Sequence, residues 1–149
     1  MTRNTFLALV AVALSVSGLG MAGAQAAKRD YQRATPAAPA EQEVRTDTYV
    51  FSYSYPAAAG AIPGLKAALE ADRAKQKARL ARSAAEGRRM AQKGGYGFSA
   101  YDYGKGWDVV TDLPGWLSLS AAYSGYEGGA HGYTGFDTLL WDKRAGTKR

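Results

Sequence analysis

The sequence predicts an α+β domain in which one long helix packs on an antiparallel sheet of four or five strands. Three observations carry this reading. Residues 46–55 alternate with the period of a strand, residues 65–90 are dense in strong helix formers with no proline, and residues 96–141 repeat strand-like runs broken by glycine.

The N-terminal residues read as a signal peptide over 1–26 rather than as part of the fold. Arg3 supplies a short positive segment, residues 6–16 form an apolar run, and Ala22-Gly23-Ala24 and Ala24-Gln25-Ala26 offer small-residue cleavage sites. The expected location is therefore periplasmic or secreted. The apolar run is short for a membrane span, so contact with a membrane is expected only through an uncleaved signal. The chain has no cysteine, which excludes a lipid-modified cysteine and any disulfide framework.

A net charge of +6 in an exported protein points to anionic envelope partners such as cell-wall polymer, with an envelope protein as the other partner class. Solubility is the plainer use of that charge. No nucleic acid is expected, because the leader denies access to it. Residues 27–45 mix charge, alanine, Pro36 and Pro39 without periodicity, and read as a flexible linker.

Structure is expected from residue 46 to the end, at 149. The first strand places Tyr49, Phe51, Tyr53 and Tyr55 on one face and Val50, Ser52 and Ser54 on the other. Pro56 ends it, and Pro63 stands where a helix can start. The helix then carries a thin apolar stripe of Leu65, Ala68, Leu69, Leu80, Ala84 and Met90 among many lysines and arginines, so it is expected to dock by its ends. Glu70 with Arg73, Asp72 with Lys75 and Glu86 with Arg89 stand at i,i+3 for surface ion pairs. Gly94-Gly95 is the stop signal.

After the helix, residues 96–103 read as a strand, residues 104–106 as a turn around two glycines, and residues 107–111 as another strand. Asp112-Leu113-Pro114-Gly115 is a turn between runs that can pair, and residues 116–123 follow with Leu117, Leu119, Ala121 and Tyr123 on one face. Residues 136–141 supply the last strand, and Asp142-Lys143-Arg144-Ala145-Gly146 a closing turn.

The most distinctive stretch is Tyr126-Glu127-Gly128-Gly129-Ala130-His131-Gly132-Tyr133, which sets the only histidine among three glycines and between two tyrosines. Glycines of this density mark a turn whose backbone shape matters. Tyr126, Gly128, Gly129, His131 and Tyr133 are the expected binding residues, since tyrosine beside glycine makes an adaptable surface for sugars or protein partners. His131 is also the one candidate for acid–base catalysis near neutral pH, with Glu127 and Asp137 the nearest acids. Ser118, Ser120, Ser124 and Thr134 form no nucleophile elbow, so no catalytic set is assigned.

With one histidine and no cysteine a metal site would rest on carboxylates, and Asp102, Asp108 and Asp112 lack a calcium-loop spacing. No metal and no cofactor is expected. Gly94-Gly95-Tyr96-Gly97 lacks the Lys-Ser or Lys-Thr of a phosphate loop.

Trp116-Leu117-Ser118-Leu119-Ser120, the Gly-Gly-Ala-His loop and Leu140-Trp141-Asp142-Lys143-Arg144-Ala145-Gly146 together resemble the N-terminal domain family of PdaC-type peptidoglycan deacetylases and RsiV-type anti-sigma factors. The resemblance covers the region from residue 46 to the end. It implies a strand ending in Tyr-Pro, a helix and a strand meander, with the family's usual second domain missing here. The deacetylase activity of the PdaC type belongs to a separate catalytic domain with metal-binding histidines, and lysozyme sensing to the membrane-spanning RsiV type. Neither passes to this chain with the family name. The expectation is an exported, non-catalytic envelope module; the alternatives are a wall-modifying deacetylase or hydrolase using His131, and the ectodomain of a signalling protein.

Overall fold

The computed structural model describes residues 40–149. The expected signal peptide and the linker as far as residue 39 lie outside them. Two strands open the described chain, β1 (Ala40–Arg45) and β2 (Tyr49–Tyr55). A single turn, α1 (Ala57–Gly60), leads into the long helix α2 (Pro63–Gly94), and β3 (Tyr101–Asp112), β4 (Trp116–Tyr126), β5 (Tyr133–Asp142) and β6 (Thr147–Lys148) complete it.

The six strands form one sheet in the order β1-β2-β3-β4-β5-β6. This corrects the expected four- to five-stranded antiparallel sheet, because the sheet has six strands and is mixed. The β2–β3 pair is parallel, with Tyr49 opposite Tyr101 and Phe51 opposite Tyr103, and the other four pairs are antiparallel. The cause is the helix. A crossover as long as α2 returns the chain to the end of the sheet where β2 began, so the next strand runs the same way as β2.

Two other expectations are corrected. The last six residues of the expected linker, Ala40–Arg45, form β1, paired with β2 from Ala40 opposite Tyr55 to Arg45 opposite Val50. The glycines at 104 and 106 make no turn; they sit inside the unbroken twelve-residue β3. Both lie opposite serines of β2, and a Cβ on Gly104 would meet Ser52 Oγ at 2.9 Å. Glycine here serves close strand approach on one face, which composition alone does not separate from a turn.

The helix matches the expectation and extends it at both ends. Pro63 occupies the first turn, where its missing N–H costs nothing, and Gly95 closes the helix in the left-handed conformation at φ 69°. Leu65, Leu69, Leu80, Ala84 and Ala91 are its buried residues, so apolar docking is not confined to its ends. Leu65, Leu69 and Leu80 share the core with Phe51, Tyr53, Tyr55, Tyr103, Trp107, Leu117, Leu119 and Trp141 of the sheet. Of the three surface pairs expected, Glu70 with Arg73 forms. The turn after β5 is held by Asp142, whose Oδ1 accepts the backbone N–H of Arg144 and of Ala145 at 2.9 Å each. No helix among the described residues is long and apolar enough to cross a membrane.

Candidate functional site

The hairpin between β4 and β5 holds the histidine loop against the helix. Gly128 and Gly129 have φ 86° and 93°, a region that penalises any side chain, so the turn needs glycine at both positions. The Tyr126 hydroxyl donates to the Gly129 carbonyl at 3.1 Å and closes the loop on itself. Glu127 Oε1 accepts from Arg79 Nη1 and from the Tyr133 hydroxyl, each at 2.7 Å, while Arg79 Nη2 donates to the Tyr133 oxygen at 3.2 Å. One helical arginine thus ties both ends of the loop. Burial alone would raise the Glu127 carboxyl, but donation from Tyr133, Ser83 and Arg79 outweighs it and holds the acid below its ordinary value.

A groove opens between this loop, the C-terminal half of α2 and residues 96–101. Its aromatic walls are Tyr96, Phe98, Tyr101 and Tyr126, and Gly128 and Gly129 border it on the loop side. Tyr101 is central. It meets Tyr126 edge-on at 6.2 Å and Phe98 at 5.4 Å between ring centroids. A Cβ on Gly128 would stand 2.9 Å from the Tyr101 hydroxyl, and a Cβ on Gly87 of the helix would also overlap that ring. Helix glycine and loop glycine make the slot in which Tyr101 lies.

The structure therefore joins three of the five expected binding residues, Tyr126, Gly128 and Gly129, in one groove. Tyr133 turns to Arg79 and Glu127 instead. His131 is exposed and does not line the groove. The two acids that sequence places near it are held by cations elsewhere, Glu127 by Arg79 at 2.7 Å and Asp137 by Lys105 at 2.7 Å. The geometry brings His131 no acid to orient it.

The profile of the family described as Deacetylase PdaC matches residues 42–134, from β1 into β5. The chain belongs to the Deacetylase PdaC family. Among solved structures, a DUF3298 family protein from Pseudomonas aeruginosa PAO1 is similar at 15% identity and a TM-score of 0.45, over 75% of this chain and 52% of that one. A DUF3298 family member from Bacteroides fragilis NCTC 9343 is similar at 16% identity and a TM-score of 0.48, over 77% of this chain and 60% of that one. The chain thus spans between half and two thirds of the length of these two structures. No curated protein matches.

A second cluster in this PdaC-family chain escaped the sequence reading. Lys105 points into the core face of β3 and is 6% exposed. Its Nζ reaches Asp72 Oδ2 at 2.9 Å and Asp137 Oδ2 at 2.7 Å, and lies 4.7 Å from the Trp107 ring centroid. Asp72 also accepts from the Tyr53 hydroxyl at 2.8 Å, and that hydroxyl accepts from Trp107 Nε1 at 2.9 Å. Burial would raise Asp72, but Lys105, Tyr53 and Gln76 hydrogen-bond the charged form and keep it below its ordinary value. Burial, then the bond to Asp72, pushes the Tyr53 hydroxyl far up. Bonds from Lys105 on β3 and Tyr53 on β2 to Asp72 on the helix make the network a polar rivet between helix and sheet. A lysine between two glycines gave no sign of burial in sequence; alternation through Tyr103, Lys105 and Trp107 was the available signal. Among the described residues no group of three or more His, Asp or Glu stands placed for a metal.

Proposed function

We propose that this protein is an exported, non-catalytic module of the cell envelope that binds cell-wall glycan through the groove beside the Gly-Gly-Ala-His loop. The observation carrying the reading is the wall of Tyr96, Phe98, Tyr101 and Tyr126 against the backbone of Gly128 and Gly129. Aromatic faces stack on the apolar faces of sugar rings, hydroxyls pair with their edges, and glycine lets a ligand approach the backbone. Tyr96 is 60% exposed and Met90 57% exposed, so the groove offers apolar area that water does not satisfy well. The leader-like N-terminus and the PdaC family are consistent with this setting, while the family's name supplies no activity to this chain.

The catalytic alternative centres on His131, and its geometry supports it less. An exposed imidazole whose neighbouring carboxylates are committed to Arg79 and Lys105 has no acid to hold its orientation. The deciding measurement is retention of the purified protein on purified peptidoglycan at low salt, with Tyr126→Ala beside it. Retention that falls in the variant is the expected result. An unmutated protein that stays in the supernatant overturns the glycan reading.

A further inference from the structure

The groove beside the Gly-Gly-Ala-His loop carries a negative charge on the most basic element of the chain. The helix α2 bears nine lysines and arginines against three acids, yet among the described residues that line the groove the one charged side chain is Glu86. The other two acids of α2 are committed elsewhere. Glu70 pairs with Arg73, and Asp72 with Lys105 at 2.9 Å. Glu86 has no ion-pair partner among the described residues, and the pair expected with Arg89 does not form.

Position ties this carboxylate to the aromatic walls. Glu86 is exposed and directly precedes Gly87, the helix glycine against which the Tyr101 hydroxyl lies. Burial first, and then neighbouring groups that include Glu86, raise that hydroxyl above its ordinary value, so the acid stands within electrostatic reach of the ring. Around Tyr101 the rings are set at different angles, Phe98 tilted by 34° and Tyr126 by 81°, and Tyr96 adds a ring that is 60% exposed. The space they line measures about 590 Å³, within the roughly 300–1,000 Å³ of small-molecule sites. An aromatic face attracts a cation held within about 6 Å of it. Rings beside an unpaired carboxylate complement a protonated amine, and the lining offers no cation to a phosphate.

We propose, resting on the glycan reading of the groove, that it selects sugar units bearing a free, protonated amine in place of the N-acetyl group, with Glu86 as the counter-ion. The rings hold the sugar and face its ammonium. An acetylated unit has the same ring but a neutral amide, so it keeps the stacking and loses both attractions to charge. The chain's net charge of +6 opposes a cation from afar, but at about 0.15 M salt interactions beyond roughly 8 Å are largely screened. The near carboxylate then decides.

Calorimetric titration of the protein with the glucosamine tetramer and with the N-acetylglucosamine tetramer, at about 0.15 M salt and about pH 6 to keep the amine protonated, tests the selection. The amine form is expected to bind roughly three- to thirty-fold more tightly, from one exposed cation–aromatic contact and one exposed ion pair together. Glu86→Gln, at an exposed position, is expected to keep the circular dichroism and to cut that preference about 1.5- to fivefold. Equal affinity of the unmutated protein for the two tetramers, or a preference that Glu86→Gln leaves intact, overturns the proposal and leaves the glycan reading standing. Binding of neither tetramer overturns both. Tri-lysine that binds as tightly as the glucosamine tetramer shows charge read without sugar, and also overturns the proposal.

Discussion

Lys105 Nζ lies 2.9 Å from Asp72 Oδ2, joining β3 to the N-terminal third of α2 through a lysine that is 6% exposed. The contact fills the gap in the helix's apolar stripe between Leu69 and Leu80, where Asp72 and Gln76 continue the same face with polar groups. A buried pair of this kind adds little net stability against an apolar pair, yet removing one member leaves the other uncompensated. Asp72→Ala is therefore expected to destabilise the fold by about 1–3 kcal/mol, softened by Asp137, which still contacts the lysine. Urea unfolding followed by tryptophan fluorescence reads it directly, since Trp107 shares the cluster.

Two carboxyls, Asp72 and Glu127, set an acid limit. The folded-state carboxyls of Asp72 and Glu127 are lowered from ordinary values of 3.8 and 4.5, so at pH near and below those values the unfolded chain binds more protons. Their contribution is fully present above pH 4.5 and is lost as pH falls through the folded values. Stability measured at pH 5, 4 and 3 is expected to drop less steeply in Asp72→Asn than in the unmutated chain. Parallel slopes would count against Asp72 as the linked group.

Neighbouring glycines of the loop separate backbone strain from crowding. Gly128 and Gly129 share a positive φ, but a Cβ on Gly128 meets Tyr101 at 2.9 Å whereas one on Gly129 meets nothing within 4 Å. Gly129→Ala is expected to cost about 1–3 kcal/mol from strain alone, and Gly128→Ala more. Only Gly128→Ala should also displace Tyr101 and weaken retention on peptidoglycan. Thermal melts beside the pull-down distinguish the two effects.

Leu80 anchors the centre of α2 and is fully buried. Leu80→Ala is expected to cost about 2–5 kcal/mol through lost burial and the cavity left behind. Met90→Ala, at a residue 57% exposed, should change stability by about 0.5 kcal/mol or less. Equal losses from the two would mean that the helix packs differently from the arrangement described.

Much of the fold was legible in the chain. The aromatic face of β2, the start of the helix at Pro63 and its stop at Gly95, the Leu113–Gly115 turn and the buried face of β4 all follow from local rules of period, cap and turn. Those rules act over a few residues, so they survive in sequence. The same applies to the loop, whose two positive-φ glycines are required by its own backbone.

What sequence could not settle were choices made between distant segments. Gly104 and Gly106 read as a turn in sequence, and the pairing of Ser52 with Gly104 and Ser54 with Gly106 makes them part of a strand instead. The parallel direction of β3 depends on where α2 delivers the chain, and β1 forms because β2 offers it an edge. Likewise His131 had two acids within reach in sequence, but Arg79 and Lys105 claim them from the helix and from β3. A charge finds its partner by distance in space, and that distance exists only once helix and sheet have packed.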